Sequence, residues 1–567
     1  MLELVKQNIH MNRWKNQVNT QVTLDDDFIV PDTMSDIAQV ILDAGEIQLD
    51  PVKVQNEKIQ VRGKLEFHVL YRKEEGGLQT LGGLLPFEET VNVPGLEEKD
   101  YVSVTWQLED LDASMINSRK LSIRGIVTLE VKVETLFDAE AAVDLKEPEW
   151  ETGSAGAGGM TGAGRMTGVG GMTGAGGMTG TAGMTGTAGT DAGFFGPPHI
   201  ETERETLEVA AIALRRKDTY RLKESITLSG SKPAIDRILW TEMRLCGASA
   251  RPLDGRIHLE GSLLVFVIYE GEGENSTVQW MEESLPFSGE VEMPGAAQEM
   301  LPAIGLRLIH RGIEEKPDYD GEMRELDVDA VVELDIRLYE ERPLELLSDL
   351  YATNRELTME TGEACFDQLL TRNSGKCKVA EKVELGGDMR ILQICHSSGT
   401  VKLDEVTAGK DVLVIDGALE VQILYLTDDD SLPIQATSSL LPFHYEAEAP
   451  GIREDSIWYL ENGVEQLTAV MAGGGTVEIK GVLTLELLAL QPVCRQVILR
   501  ADTAPMDRKQ FQEMPGLVGY VVQEGDRLWT IAKRFRTTVD NVMASNGLAS
   551  EEVKPGDTLL LIKEMSR

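Results

Sequence analysis

A segment of nine residues occurs three times in this chain, and it constrains the fold more than any other feature. It reads Gly-Lys-Leu-Glu-Phe-His-Val-Leu-Tyr from Gly63 to Tyr71. It returns as Gly-Ser-Leu-Leu-Val-Phe-Val-Ile-Tyr from Gly261 to Tyr269, and as Gly-Ala-Leu-Glu-Val-Gln-Ile-Leu-Tyr from Gly417 to Tyr425. Each is followed by Leu-Pro-Phe (Leu85 to Phe87, Leu285 to Phe287, Leu441 to Phe443). Eight residues past that proline comes Pro-Gly (Pro94-Gly95, Pro294-Gly295, Pro450-Gly451). A third block closes each copy, from Leu121 to Gly125, Leu326 to Ala330 and Val477 to Gly481. Order and spacing agree, so the chain is a tandem array of one unit. The copies begin near Leu2, Leu207 and Leu357 and run about 135 residues each.

The blocks read as β structure. Ile59, Val61, Leu65, Phe67, Val69 and Tyr71 are apolar at alternate positions, and Lys58, Gln60, Arg62, Lys64, Glu66 and His68 fill the gaps. That period sends one set to a core and the other to water. A glycine inside the strand (Gly63, Gly125, Gly261, Gly417, Gly481) predicts a bulge or a close backbone approach. The proline of Leu-Pro-Phe belongs on an edge or at a strand start, and Pro-Gly marks a turn. Helical spacing is confined to short pieces such as Ile37, Val40 and Ile41. The expected fold class is mainly β: three tandem antiparallel β-sandwich-like repeats, then a small α+β (βααβ) module.

Charge narrows the partners. The 567 residues carry 54 basic and 95 acidic side chains, a net charge of −41. Nucleic acid and anionic membrane surfaces reward Lys and Arg, so both are disfavoured. No apolar run approaches the roughly 18–20 residues needed to span a bilayer. The stretch Met1 to Trp14 has no apolar core of a secretory signal, so no signal peptide is expected. Five cysteines (Cys246, Cys365, Cys377, Cys395, Cys494) form no Cys-x-x-Cys pair. No disulfide framework or zinc site is therefore expected, and a reducing cytosol fits.

Between copies one and two, Met-Thr-Gly recurs every six residues at Met160, Met166, Met172, Met178 and Met184. Glycine falls at every third position from Gly153 to Gly189 except at Arg165, which formally resembles Gly-X-Y. The tract has no proline to preset a polyproline II conformation, so a flexible linker is expected. It would give copy one independent reach.

No catalytic pattern stands out. The chain has no phosphate-binding loop, zinc-binding His-Glu-x-x-His or nucleophile elbow. His68 and His258 fall at polar strand positions. Cys377, Cys395 and His396 read as small buried residues beside an exposed imidazole. Asp25-Asp26-Asp27 and Asp428-Asp429-Asp430 read as solvated runs. Neither an enzyme nor a cofactor or metal is expected.

Two resemblances carry the functional reading. The Gly-x-Leu-x-x-x-(Val/Ile)-(Leu/Ile)-Tyr strand, Leu-Pro-Phe and Pro-Gly resemble the SPOCS domain of spore coat assembly proteins. From Tyr520 to Ile562 the chain resembles a LysM module, a βααβ unit of N-acetylglucosamine-binding proteins. Tyr520–Gln523 reads as its first strand. The first helix carries the apolar stripe Leu528, Ile531, Ala532 and Phe535. Thr538 caps a second helix, Asn546-Gly547 ends it, and Leu559–Ile562 is the last strand. Three repeats followed by one LysM look like the SipL type of coat morphogenetic protein.

The expected domains are repeat 1 (1–145), a low-complexity linker (146–200), repeat 2 (201–345), repeat 3 (346–500), a linker (501–518) and the LysM module (519–565). The resemblance implies a glycan groove walled by Gly525, Asp526, Arg527 and Leu528 on one side. Gly547, Leu548, Ala549 and Ser550 wall the other. Arg527 stands where the family often has threonine. From Gly519 onward seven basic and seven acidic residues balance, so the whole net charge lies in the repeats and linkers. Lys533, Arg534 and Arg536 crowd the first LysM helix and form a candidate partner-docking face. The resemblance implies a non-enzymatic scaffold in the mother-cell cytoplasm at the forespore surface, and then in the spore coat. Its implied partner is a coat basement-layer morphogenetic ATPase, SpoIVA-like. The alternative is a protein that binds peptidoglycan, another N-acetylglucosamine glycan or a lipid-linked precursor through the LysM groove.

Overall fold

The computed structural model describes residues 2–146, 198–273, 277–385, 390–429, 433–473 and 475–563. The Met-Thr-Gly tract and Asp430, on which expectations were placed above, lie outside the described residues.

Each copy is a sandwich of two antiparallel sheets. In the first copy, β1 (Leu4–Ile29), β7 (Lys120–Leu145) and β6 (Tyr101–Asn117) form one sheet in the order β1-β7-β6. β2 (Ile37–Leu49), β4 (Lys58–Lys73) and β5 (Leu78–Asn92) form the other, with the short β3 (Lys53–Gln55) beside the start of β4. The second copy repeats the pattern with β8 (Ile200–Thr227), β13 (Met323–Ala352) and β12 (Leu301–Pro317) against β9 (Ile235–Leu253), β10 (Arg256–Gly271) and β11 (Val278–Glu292). In the third copy β14 (Glu356–Glu384), β19 (Thr476–Ala504) and β18 (Ile457–Gly473) face β15 (Ile391–Ala408), β16 (Val412–Thr427) and β17 (Ile434–Glu448). A small unit follows: α1 (Arg508–Glu513), β20 (Leu517–Val521), α2 (Leu528–Phe535), α3 (Val539–Asn546) and β21 (Thr558–Ile562). β13 runs through residue 345, the expected end of the second repeat, to Ala352. Three residues then lead into β14.

The recurring motifs have one physical cause. The motif glycine pairs with the phenylalanine of Leu-Pro-Phe in every copy: Gly63 with Phe87, Gly261 with Phe287, Gly417 with Phe443. A Cβ at Gly63 would lie 2.8 Å from the Phe87 ring and 2.7 Å from the Gln48 carbonyl, so a larger residue has no room. The prolines lie on β5, β11 and β17, which are edge strands and lose no ladder bond. Pro-Gly closes a turn each time, with Gly95, Gly295 and Gly451 at positive φ. Between the sheets, a Cβ at Gly125 or Gly481 would meet Leu65 or Leu419 at 2.8 and 2.7 Å.

Within the strands, two expectations change. Ile37, Val40 and Ile41 belong to β2, not to a helical piece. Register shifts at Ile37/Gln39 and Val40/Leu42 set neighbours on one face, which imitates helical spacing. Cys365 and Cys494 stand opposite each other on β14 and β19, with Cα atoms 3.9 Å apart, and form a disulfide. Their separation of 129 residues hides the pairing from any spacing argument.

The three copies close on one another. Met11, Val209 and Phe366 occupy the same register position in β1, β8 and β14, and all three enter one buried cluster. Ala142, Leu347 and Ile498 do the same further along β7, β13 and β19. At the other sheets, Leu70, Ile268 and Leu424 converge in a third shared cluster. The strand that carries Leu-Pro-Phe in each sandwich meets the second strand of the next, in a cycle. Thr80 on β5 donates to the Leu239 carbonyl on β9. Glu282 on β11 accepts from His396 on β15 at 2.5 Å, and Gln39 on β2 reaches Gln435 on β17 at 3.4 Å. This is heterologous contact that closes after three units. Copy one therefore packs against the other two instead of reaching out independently. Leu145 and Ile200, at the two ends of the linker, pack on the same cluster.

Polar nodes mark the joints. Glu134 of copy one is buried 2.5 Å from Arg215 of copy two, and Tyr339 of copy two donates to Tyr459 of copy three at 2.8 Å. His396, expected as an exposed imidazole, is buried where the other copies place Leu42 and Trp240. It stacks on Phe266 at 3.9 Å and lies 3.4 Å from Glu242 as well as beside Glu282. Burial alone would lower its pKa, but the two carboxylates prevail and raise it above 6.5. Burial acts to raise Glu242, yet Arg244 and His396 hold its carboxyl well below the usual range. A raised imidazole stabilises fully below its unfolded value and loses that contribution as pH rises through its folded value. As pH rises above about 6.5, the urea midpoint of the full chain should therefore fall more steeply for the wild type than for His396→Leu. Parallel curves would show that the imidazole is uncharged in the joint.

Candidate functional site

The LysM unit is built as its sequence pattern requires. Leu528, Ile531 and Ala532 of α2 are buried against Val539 and Val542 of α3 and Leu559 and Leu561 of β21. The Thr538 side chain caps α3 by accepting from the Asn541 amide at 3.0 Å. Asn546 ties α3 to β21, donating to the Leu560 carbonyl and accepting from the Leu560 amide. The first strand begins at Leu517, three residues earlier than expected, and pairs Leu517 with Ile562.

The groove residues fall into distinct environments. Gly525, Arg527, Gly547, Ala549 and Ser550 are exposed, and Leu548 is half-buried. Leu528 is fully buried and belongs to the core beneath the lip. The Asp526 carboxylate accepts from the Tyr520 hydroxyl at 2.7 Å and from the Gln523 amide at 2.8 Å, which holds its pKa below the ordinary value. Asp526 therefore shapes the turn. The lips that remain open are backbone and small side chains, the chemistry that pairs with acetamido groups.

The candidate docking helix is occupied by the chain itself. Lys533 lies 2.6 Å from Asp349 at the end of β13, and the same carboxylate accepts from the Trp529 indole at 2.8 Å. Arg527 makes two bonds to Glu203 of β8, at 2.7 and 3.1 Å. Arg536 donates to the Arg355 carbonyl at 2.9 Å. For Arg534 the contact is within the module, over the Phe535 ring at 5.6 Å. Tyr351 completes the joint. Its ring meets Trp529 edge-on at 4.8 Å, and its hydroxyl donates to the Thr537 carbonyl at 2.8 Å in a buried bond.

Sequence reasoning placed the basic helix but missed Glu203, Asp349, Tyr351 and Trp529. Trp529 is the available signal: it is buried although it lies off the apolar stripe. Copy two suits this docking and its siblings do not. The counterparts of Asp349 and Tyr351 are Asp144 and Lys146 in copy one, and Arg500 and Asp502 in copy three. Lys146 would remove the aromatic contact, and Arg500 would repel Lys533.

Cutting Tyr351 back removes a buried ring and hydroxyl, a change that costs about 3–5 kcal/mol in comparable aromatic truncations. Tyr351→Ala should release the module from copy two, and limited proteolysis of the full chain should then cut the connection around residues 505–516 faster than in wild type. Equal cleavage rates would show that the module is held elsewhere.

Comparisons with known proteins agree with this layout. The family model described as SipL, SPOCS domain, matches residues 36–116, 234–310 and 390–472. The LysM domain model matches residues 520–561. Each SPOCS match covers the strands between the long first and last strands of a sandwich, ending inside β12 in copy two, and omits those two long strands. An uncharacterized protein of Chlamydia pneumoniae is 47% identical over 47 residues, which make up 8% of this chain and 13% of that protein. No solved structure matches the chain.

Proposed function

We propose that this chain of three SPOCS domains and a LysM domain, the SipL-type arrangement, is a non-enzymatic scaffold of the spore coat. In this reading it works in the mother-cell cytoplasm at the forespore surface and later within the coat. The observation that carries the reading is the docking of the LysM unit onto copy two through Asp349, Tyr351 and Glu203. A module fixed this way is part of one rigid body, and its open lips at Gly525 and at Gly547–Ser550 become the presented surface. Because Lys533 and Arg536 are engaged within the chain, the coat basement-layer ATPase would be met through the lips and not through the basic helix. No helix among the described residues is long and apolar enough to cross a membrane, so attachment would come from such contacts.

A second reading has its own support. The exposed small residues and backbone of the lips suit N-acetylglucosamine units of peptidoglycan or of a lipid-linked precursor. One comparison separates the two. Ser550→Trp in the full chain fills the lip without touching the core, while Arg534→Gln removes a helix charge without setting a second carboxylate beside Asp526. Binding to the ATPase should drop at least roughly tenfold with Ser550→Trp and stay within about twofold with Arg534→Gln. Tight binding of peptidoglycan fragments that is lost in Ser550→Trp, with no ATPase binding in wild type, would replace the scaffold reading with the glycan one.

A further inference from the structure

The outer face of the LysM sheet is apolar and uncovered. Along β20 and β21 the inward side chains include Leu559 and Leu561, which are buried. The outward ones are Leu517, Gly519 and Val521, opposite Ile562, Leu560 and Thr558. Leu517 is 60% exposed, Val521 49%, Ile562 43% and Leu560 38%, with the other described residues in place. A strand reading Leu-Leu-Leu-Ile is patterned for burial on both faces, and here one face has no cover among the described residues. This surface is separate from the helix that grips copy two and from the groove lips.

We propose that this face is a self-association surface, on which a second copy of the chain docks sheet to sheet. Three features select that occupant. The six outward positions carry no charge, and the LysM unit is electrically balanced within a chain of net charge −41. Two such chains repel through their repeats, so a neutral face offers the least opposed approach.

The face is also complementary to itself. Gly519 leaves a hollow with no atom within 4 Å of its would-be Cβ, and Leu560 projects directly across from it. A two-fold axis parallel to the strands and between the two sheets lays β20 of one copy over β21 of the other at equal height. Leu560 of each copy then enters the Gly519 hollow of its partner, Leu517 covers Ile562, and Val521 covers Thr558. Such an isologous contact satisfies both faces at once.

Finally, an exposed two-stranded sheet with apolar residues on both sides is a liability unless it is covered. The face is small, so the association should be weak and concentration-dependent.

The test is sedimentation velocity of the full chain over a roughly hundredfold concentration range. Wild type should pass from monomer to dimer across that range. Leu560→Asp places a charge in the apolar contact and should move the midpoint up by roughly tenfold or more. Gly519→Leu fills the hollow, finds open space in the monomer, and should weaken the dimer similarly, which provides a second reading if Leu560→Asp disturbs the fold. A wild type that stays monomeric throughout, or a dimer unaffected by Gly519→Leu, would overturn the proposal.

Discussion

The convergence of Met11, Val209 and Phe366 in one buried cluster is the contact on which the rest of the molecule depends. These residues lie on strands of 26, 28 and 29 residues, far longer than a sandwich needs. The surplus length of each first and last strand forms a ribbon with an apolar face. A two-stranded ribbon is not stable alone in water. Three ribbons closing on each other bury that face, and the closure carries the sandwiches into their cyclic contacts. It also sets the connections. The linker after copy one leaves and returns at one cluster, and the step from copy two to copy three needs three residues.

Apolar closure does not by itself say which copy sits where. Chemically equal ribbons could be exchanged, and the polar nodes break that equivalence. His396 at the position of Leu42 and Trp240 meets Glu242 and Glu282 of copy two alone. Glu134 of copy one meets Arg215. A buried charge with its partner removed is strongly penalised, so a permuted arrangement would leave these groups unpaired. The same logic places the LysM unit, because copy two alone combines Asp349, Tyr351 and Glu203.

The sandwich was legible because its causes repeat. Gly63, Gly261 and Gly417 each need a facing phenylalanine, and that pair recurs at fixed spacing. The LysM unit was legible for a similar reason: caps, turn glycines and the apolar stripe are local. What joins the parts was not. Met11, Val209 and Phe366 share a position but not an identity, so self-comparison of the sequence passes over them. Arg527 and Glu203 are 324 residues apart, and Lys533 and Asp349 are 184 apart, so no local pattern links them. Within strands, the bulges of β2 disguised a strand as a helical fragment. Gly525 and Gly547 could be placed on exposed turns by sequence, whereas the fate of the basic helix depended on a surface elsewhere in the chain.

The three copies act as one body with the LysM unit attached. Differential scanning calorimetry of the full chain and of Phe366→Ala tests this most directly. One closed body predicts a single main transition, with calorimetric and van't Hoff enthalpies in agreement. It also predicts that trimming one ring in copy three lowers the melting of all three copies together. Separate transitions, with only one of them moved by Phe366→Ala, would show that the copies fold and stand as independent beads and would contradict the account.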